Sequence, residues 1–557
     1  MVADEACRTR VREDIARLQT RPQISLLLPV ARDEERLLRA TVESIGRQLY
    51  RDWQVFIAVP AALDARCKAR LAEYSRTDSR IEIVHAETLD MGALANAAMA
   101  AATGGFVAVL EQGVELSEFA LYLFAKAINK HIDSDLLYCD EDVIYEDGRH
   151  GEPFFKPGWD PELLLGQDYF NRLGVYRRAL VVASGGLRSG LDGTHAWDLV
   201  LRCAQKTHVS RIHRIPVVLH HRRKGPPSYR GEGAVDMVQQ HLDRNGEHAV
   251  VIPHPAAPGM CKTRFVLGER RPRVSLIIPS RDQRELLEKC ITSIRDRTSY
   301  RSFEIVVVDN QTADPAALQY LDDLQHSGSA RVLRYDHPFN WSAINNFAVA
   351  ECDADVVGLV NNDIEVVSPG WLADMAALAM RPAVGAVGAM LTFPDGSVQH
   401  AGIVLGITGA AGHIFKGLPA TAAGYFGRLQ LLQNYSAVTG ACLLVRRDRY
   451  IEAGGLDEDH LPIAFNDVDF CLKLRKRGYR NLWTPDAVLV HHESVSRGYE
   501  DTPAKRARLA EEERQLRARW AEWLADDPCY NPNLTLHRED SSLAWPPRMP
   551  GPCDIEP

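Results

Sequence analysis

The chain carries one pattern twice, and this restricts its fold more than any other feature. Residues 24–59 read ISLLLPVARDEERLLRATVESIGRQLYRDWQVFIAV, and residues 274–309 read VSLIIPSRDQRELLEKCITSIRDRTSYRSFEIVVVD. Each has a short apolar run, a proline and a charged loop, then apolar residues at helical spacing, then a second β-branched run. Pro29 and Pro279 stand 250 residues apart, as do Trp53 and Phe303. The same offset lays FVAVLEQGVEL (106–116) over VVGLVNNDIEV (356–366). Further on, VYRRALVVASGGL (175–187) matches LVRRDRYIEAGGL (444–456) at an offset of 269, so the second copy has gained about nineteen residues in between. WDLVLR (197–202) then echoes VDFCLKLR (468–475), and VVLHHRR echoes AVLVHHES.

A repeat of this size is a duplicated domain. Strands alternating with helices predict an α/β fold, a mostly parallel sheet covered on both faces. Ligands bind such sheets at the carboxyl ends of the strands. The expected organisation is an N-terminal helical extension over 1–21, α/β domains over 22–262 and 263–502, and a C-terminal helix and tail over 503–557.

Composition narrows the function class. Charged residues make up 25% and hydrophobic residues 46%, ordinary for a soluble globular protein. The net charge of -9 argues against a nucleic-acid partner, because phosphate backbones reward excess Lys and Arg. The eleven cysteines are dispersed, with no C-x-x-C pair, and read as reduced thiols of a cytosolic protein. The opening MVADEACRTRVREDIARL lacks the apolar segment of a secretory signal. No window approaches the roughly eighteen apolar residues of a membrane span. The expected location is the cytoplasm, with peripheral contact at the inner face of the cell membrane left open.

The residues that could carry chemistry follow the apolar runs of the second copy. EIVVVD ends at Asp309, a carboxylate placed to accept from a base or ribose, or to cap an Asx-turn. VVGLV is followed by Asn361, Asn362 and Asp363. A nucleoside diphosphate needs a divalent cation, and Asp363 offers the hard oxygen that Mg²⁺ or Mn²⁺ prefers. FNDVDF (465–470) sets Asp467 and Asp469 at a helix start, where either serves as an N-cap or as a general base. AVLVHHESVSRG (487–498) adds His491 and His492 after a strand.

Taken in order, VVVDN, NND, NDVDFCLKLRKRGYR and HHESVSRG resemble the family 2 glycosyltransferases of bacterial surface-polysaccharide synthesis, including O-antigen, rhamnan and rhamnosyltransferase-like members. FNWSAINNFAVA (339–350), PDGSVQHAGIVLG (394–406) and QNYSAVTGACLLVRR (433–447) fit the same likeness. The resemblance implies two tandem GT-A type domains. It implies inverting transfer from a nucleoside-diphosphate sugar to a glycan or lipid-linked glycan acceptor, with a divalent cation and other glycosyltransferases as partners. It assigns the nucleotide sugar to Asp309, Asn361 and Asn362, the metal to Asp363 and His491, and the acceptor-activating base to Asp467. His492 is the second choice for the metal.

The first copy lacks these groups. Val59, Gly113 and Ala196 fall at the places of Asp309, Asp363 and Asp467, and only a histidine, His220 or His221, survives. This copy is therefore expected to be a non-catalytic glycosyltransferase fold. Asp140, Glu141 and Asp142 read as a solvated acidic turn, with cation binding as the other reading. A glycan-binding or scaffolding protein is the alternative for the whole chain. Leu509, Leu516, Trp520 and Trp523 give the helix over 503–526 an apolar face that packs on the second domain. The last stretch, AWPPRMPGPCDIEP (544–557), is Pro-rich and expected to be loose at its end.

Overall fold

The computed structural model describes residues 4–553 except 32–33, 62–64, 171, 192, 224–232, 493–501 and 552. Two sheets of matching topology form its frame. The first runs in the order Ile81–Ala86, Trp53–Pro60, Ile24–Pro29, Phe106–Val109, Gly174–Arg177, Leu136–Ile144, Ile212–Arg223, Val114–Leu116. The second runs Arg331–Arg334, Phe303–Asp309, Val274–Ser280, Val356–Val360, Cys442–Arg446, Val384–Thr392, Arg480–His491, Ile364–Val366.

The repeat extends to the hydrogen-bond register. Ile24 lies beside Trp53 and Phe106, and Val274 lies beside Phe303 and Val356. Phe106 faces Arg177 as Val356 faces Arg446. The sheets are parallel through these first strands. They become mixed where the Gly174–Arg177 and Cys442–Arg446 strands enter antiparallel. The continuous apolar runs of the central strands are explained by burial on both faces: every residue of Ile24–Pro29 and of Val356–Val360 is buried.

The residues gained by the second copy lie between Thr392 and Cys442, in short strands and a 3-10 turn that reach toward the first copy. Phe426 stacks on Phe154 at 4.2 Å, and the Tyr425 hydroxyl donates to the Pro153 carbonyl at 2.7 Å. Beside this contact Glu162, 1% exposed, holds Arg381 at 2.8 Å and Arg480 at 2.7 Å. Burial raises its pKa, but the two guanidiniums outweigh burial and bring it down to about 2. The neighbouring Asp160 caps the Pro161–Gly166 helix and accepts from the Asn434 N–H at 2.9 Å. Burial, then the Glu162 charge, pushes its pKa up to about 7.

The helix over Pro503–Ala525 packs on the second copy, as its apolar spacing predicts. Its buried row is Glu512, Leu516, Trp520 and Leu524, with Leu509 and Trp523 half-buried at the margin. The segment after it is docked through residue 535. Asn531 is buried against the first copy and donates to Asp140 at 3.0 Å and to the Lys156 carbonyl at 2.9 Å. The helix Glu5–Arg17 covers the first copy with Cys7, Val11 and Ile15. Cys7 is disulfide-bonded to Cys553, against the expectation of reduced thiols throughout, while the nine other cysteines are free and buried. No helix among the described residues is long and apolar enough to cross a membrane.

Candidate active site

The Phe303–Asp309 strand delivers Asp309, 3% exposed, to the carboxyl edge of the second sheet. There it accepts from the Thr312 N–H at 3.1 Å and pairs with Arg334, its register neighbour on the edge strand. The side-chain bond to the following loop is made three residues on and not two, so it is not an Asx-turn, and together with the ion pair it holds Asp309 in place. Arg334 carried no signal in the sequence beyond its place in a short strand.

Asp363 lies in the tight turn between the Val356–Val360 and Ile364–Val366 strands, 4% exposed. His491, at the end of the long Arg480–His491 strand, faces it: Nε2 to Asp363 Oδ1 is 3.1 Å. Asn361 Nδ2 is 3.4 Å from the same Nε2. The other ring nitrogen, Nδ1, meets Gln399 Oε1 at 3.0 Å. With its proton on Nδ1, facing Gln399, the imidazole would turn the Nε2 lone pair to a cation beside Asp363, the usual arrangement behind a metal-binding imidazole. His492 points elsewhere, to Glu365 at 3.1 Å and Lys289 at 3.1 Å. Asn362 reaches Ser280 Oγ at 3.4 Å, which ties the turn to the first strand of the copy. One carboxylate oxygen and one oriented imidazole nitrogen fit Mn²⁺, which accepts both donor types, better than Mg²⁺. Gln399 lies on the Val398–His400 strand, which follows a turn matched in the first copy by the one before His150–Phe154, where Gly151 takes its place.

The two carboxylates of NDVD separate by environment. Asp469 is fully buried and bound to Arg519 at 2.6 Å and to the Trp520 indole N–H at 2.9 Å, so it fastens the C-terminal helix. Asp198 is its counterpart in the first copy, paired with Arg202 one turn on, as Asp469 is with Lys473. Asp467 instead faces the Thr439–Ala441 loop. Its Oδ2 accepts from the Gly440 N–H at 2.8 Å and its Oδ1 from the Val468 N–H at 2.8 Å. Burial raises its pKa despite these bonds, which suits a carboxylate that must take a proton. Neither aspartate caps the helix: Phe465 stands at the cap, in the left-handed region with φ 57°. The FNWSAINN segment secures the approach to this helix, with Ser342 Oγ donating to the Leu461 carbonyl at 2.6 Å and Asn340 to that of Glu458 at 2.8 Å.

The Thr439–Ala441 loop joins the two halves of the site. Gly440 holds Asp467, and Ala441 accepts from the Asn361 N–H at 3.0 Å. Gly440 must be glycine, since a Cβ there would lie 2.6 Å from Trp341 Cη2. The structure thus brings Asn361, Asp363, His491 and Asp467 into one connected group, with Asp309 at the same sheet edge.

In the first copy the corresponding places are empty of such groups. The Gly113 turn has φ 86° and offers no side chain. The expectation that a histidine survives at the metal place is corrected by the register. Ile364 faces His491, but its counterpart Val114 faces Arg222. Likewise Arg223 pairs with Glu115 where His492 pairs with Glu365. His220 and His221 belong to another group. The acidic run Asp140–Asp142 is part of the Leu136–Ile144 strand and not a solvated turn. Asp140 is fully buried, and Glu141 is neutralised by the buried Lys156 at 3.1 Å, while the His220 imidazole, its pKa lowered by burial to about 4, meets it at 3.2 Å.

Residues 275–449, within the second copy, match the family model described as glycosyl transferase family 2. The protein y4gI of Sinorhizobium fredii is 41% identical over 97% of this chain and 61% of its own length. The O-antigen biosynthesis protein RfbC of Myxococcus xanthus is 36% identical over 96% of this chain and 42% of its own length. The chain therefore spans less than two thirds of either relative. An N-acetylglucosaminyl-diphospho-decaprenol L-rhamnosyltransferase of Mycobacterium tuberculosis is 28% identical over 38% of this chain and 73% of its own length. The family match falls on the copy that keeps the carboxylates, so the second copy, over residues 275–449, is a family 2 glycosyltransferase domain.

Proposed function

We propose that the second copy transfers a sugar from a nucleoside-diphosphate donor to a growing bacterial surface glycan, with inversion at the anomeric carbon. The observation that carries this reading is the connected group at one sheet edge: Asp467 on the Gly440 loop, that loop on Asn361, and Asp363 facing His491. Asp309 holds the nucleoside. Asp363 and His491 hold the divalent cation, which when bound neutralises charge on the leaving diphosphate. Asp467 accepts the proton of the acceptor hydroxyl as that oxygen bonds to the anomeric carbon, from the face opposite the diphosphate, whose bond breaks. A base so placed contributes about 10²–10⁴-fold. The first copy, with Val59, Gly113, Ala196 and Arg222 at the matching places, serves as a non-catalytic brace or acceptor platform. The relative named as a rhamnosyltransferase makes a nucleoside-diphosphate rhamnose the first donor to try.

The test is turnover of a panel of nucleoside-diphosphate sugars with Mn²⁺ or Mg²⁺, comparing the intact chain with Asp363→Ala and Asp467→Ala. Donor-dependent turnover lost in both variants supports the reading. No binding of any donor, with or without metal, overturns it in favour of a glycan-binding scaffold.

A further inference from the structure

The first copy carries a second group of metal-type donors that none of the roles above uses. Asp142, His150 and His221 each present one ligand atom, all within 4.8 Å of one another. Three neighbouring strands place them. Asp142 and His221 are register partners on the parallel strands Leu136–Ile144 and Ile212–Arg223, so their side chains share a face. His150 opens the next strand, His150–Phe154, opposite Ile144, two residues beyond Asp142 and hence on the same face. Glu141 and His220, which meet each other, belong to the opposite face by the same alternation.

Both imidazoles turn the same nitrogen to the carboxylate. His150 Nδ1 is 2.9 Å from Asp142 Oδ2, and His221 Nδ1 is 2.5 Å from Asp142 Oδ1. The rings stand at 83° with centroids 4.6 Å apart, so the two Nδ1 atoms converge without stacking. Around a tetrahedral ion with bonds of about 2.0 Å, ligand atoms lie roughly 3.3 Å apart. A small outward movement of three side chains makes room for one. Asp142 and His221 are mostly covered, with side chains 13% and 17% exposed, while His150 is 50% exposed and leaves the site open to solvent.

We propose that Asp142, His150 and His221 form a binding site for a divalent transition-metal ion of the Zn²⁺ type, separate from the donor-sugar site of the second copy. Two imidazoles and one carboxylate form a donor set such ions favour, and Zn²⁺ sites with three protein ligands keep a further position for water or another ligand. The ion takes the Nδ1 positions while each neutral imidazole carries its proton on Nε2, and binding weakens at low pH, where protons compete for the ligand atoms. It also joins the His150–Phe154 hairpin strand to the Ile212–Arg223 strand, clamping the carboxyl edge of the first sheet.

The experiment is titration of the metal-stripped full chain with Zn²⁺ in competition with a fluorescent chelator. The intact chain and the Asp363→Ala/His491→Ala double variant should share one high-affinity equivalent. His150→Ala and Asp142→Asn should each bind that equivalent at least tenfold more weakly. His150 is half exposed, so its variant should melt with the intact chain and report on the site alone. No Zn²⁺ equivalent in the intact chain, or an unchanged one in His150→Ala, overturns the proposal. So does loss of the equivalent in the Asp363→Ala/His491→Ala variant.

Discussion

Arg222 stands in the first sheet at the position that His491 holds in the second, each opposite the matching residue of its neighbouring strand. A guanidinium has donors and no lone pair to give a metal. Together with the glycine at 113, this exchange replaces an acidic, metal-type edge with a basic one. The two copies share hydrogen-bond registers, so their edges differ in side chains and not in the frame.

Removing the metal-facing pair should remove turnover altogether. Asp363→Ala and His491→Ala are expected to lose donor-dependent nucleotide release, with nothing remaining that Arg222→Ala could abolish. Nucleotide release that persists in Asp363→Ala and disappears on changing the first copy would reverse the assignment of the two copies.

Gln399 acts through His491 and not on substrate. Gln399→Leu removes the Oε1 that meets His491 Nδ1 at 3.0 Å and orients the ring. Metal affinity should weaken by about 10–100-fold. Most of the turnover should return at saturating Mn²⁺. Failure of excess metal to restore activity would show that Gln399 does more than orient the ring.

Asp467→Asn keeps the shape and loses the proton acceptor. Turnover should fall by about 10²–10⁴-fold, with the KM for the donor nearly unchanged. In the intact enzyme the carboxylate works only when ionised, and burial raises its pKa. Turnover should therefore decline with falling pH while the pH is still above the ordinary range of an aspartate. A pH profile flat down to that range, in an enzyme limited by chemistry, would remove Asp467 from the role of base.

The contact between the copies should be acid-labile. Glu162 falls from an ordinary 4.5 to about 2 in the folded protein. Its contribution is present above 4.5 and is lost as pH drops toward 2. Glu162→Gln leaves Arg381 and Arg480 without their shared carboxylate, which costs about 3–5 kcal/mol for a buried pair. A thermal melt at neutral pH should show the loss, and the acid-dependent part of the melting shift should be smaller in the variant.

Much of this was legible before the structure. The duplication predicts two sheets, and the functional side chains follow apolar runs because strand ends form the binding edge of such sheets. The candidates Asp309, Asp363 and His491 are reached that way, and Asp467 from its place at a helix start. Arg334, Gln399 and Gly440 are not, because each acts through a contact between segments distant in the chain. The choice of Asp467 over Asp469 depends on which one faces the C-terminal helix, and helical spacing alone leaves both open. Asp140–Asp142 misleads for a related reason: three consecutive acids suggest solvent, yet Lys156, His220 and Asn531 arrive from elsewhere to bury them. The histidine comparison failed by alignment, since similar letters in VVLHHRR and AVLVHHES sit at different registers.

Asn531 donates to Asp140 across 391 residues of chain. During synthesis the first copy emerges long before this partner does, so its most deeply buried aspartate must wait for residue 531 to clear the ribosome. Until then Asp140 keeps water or takes up a proton in place of the amide. The first copy thus completes its interior last, although it is made first, and a ribosome stalled anywhere in the second copy leaves both unfinished.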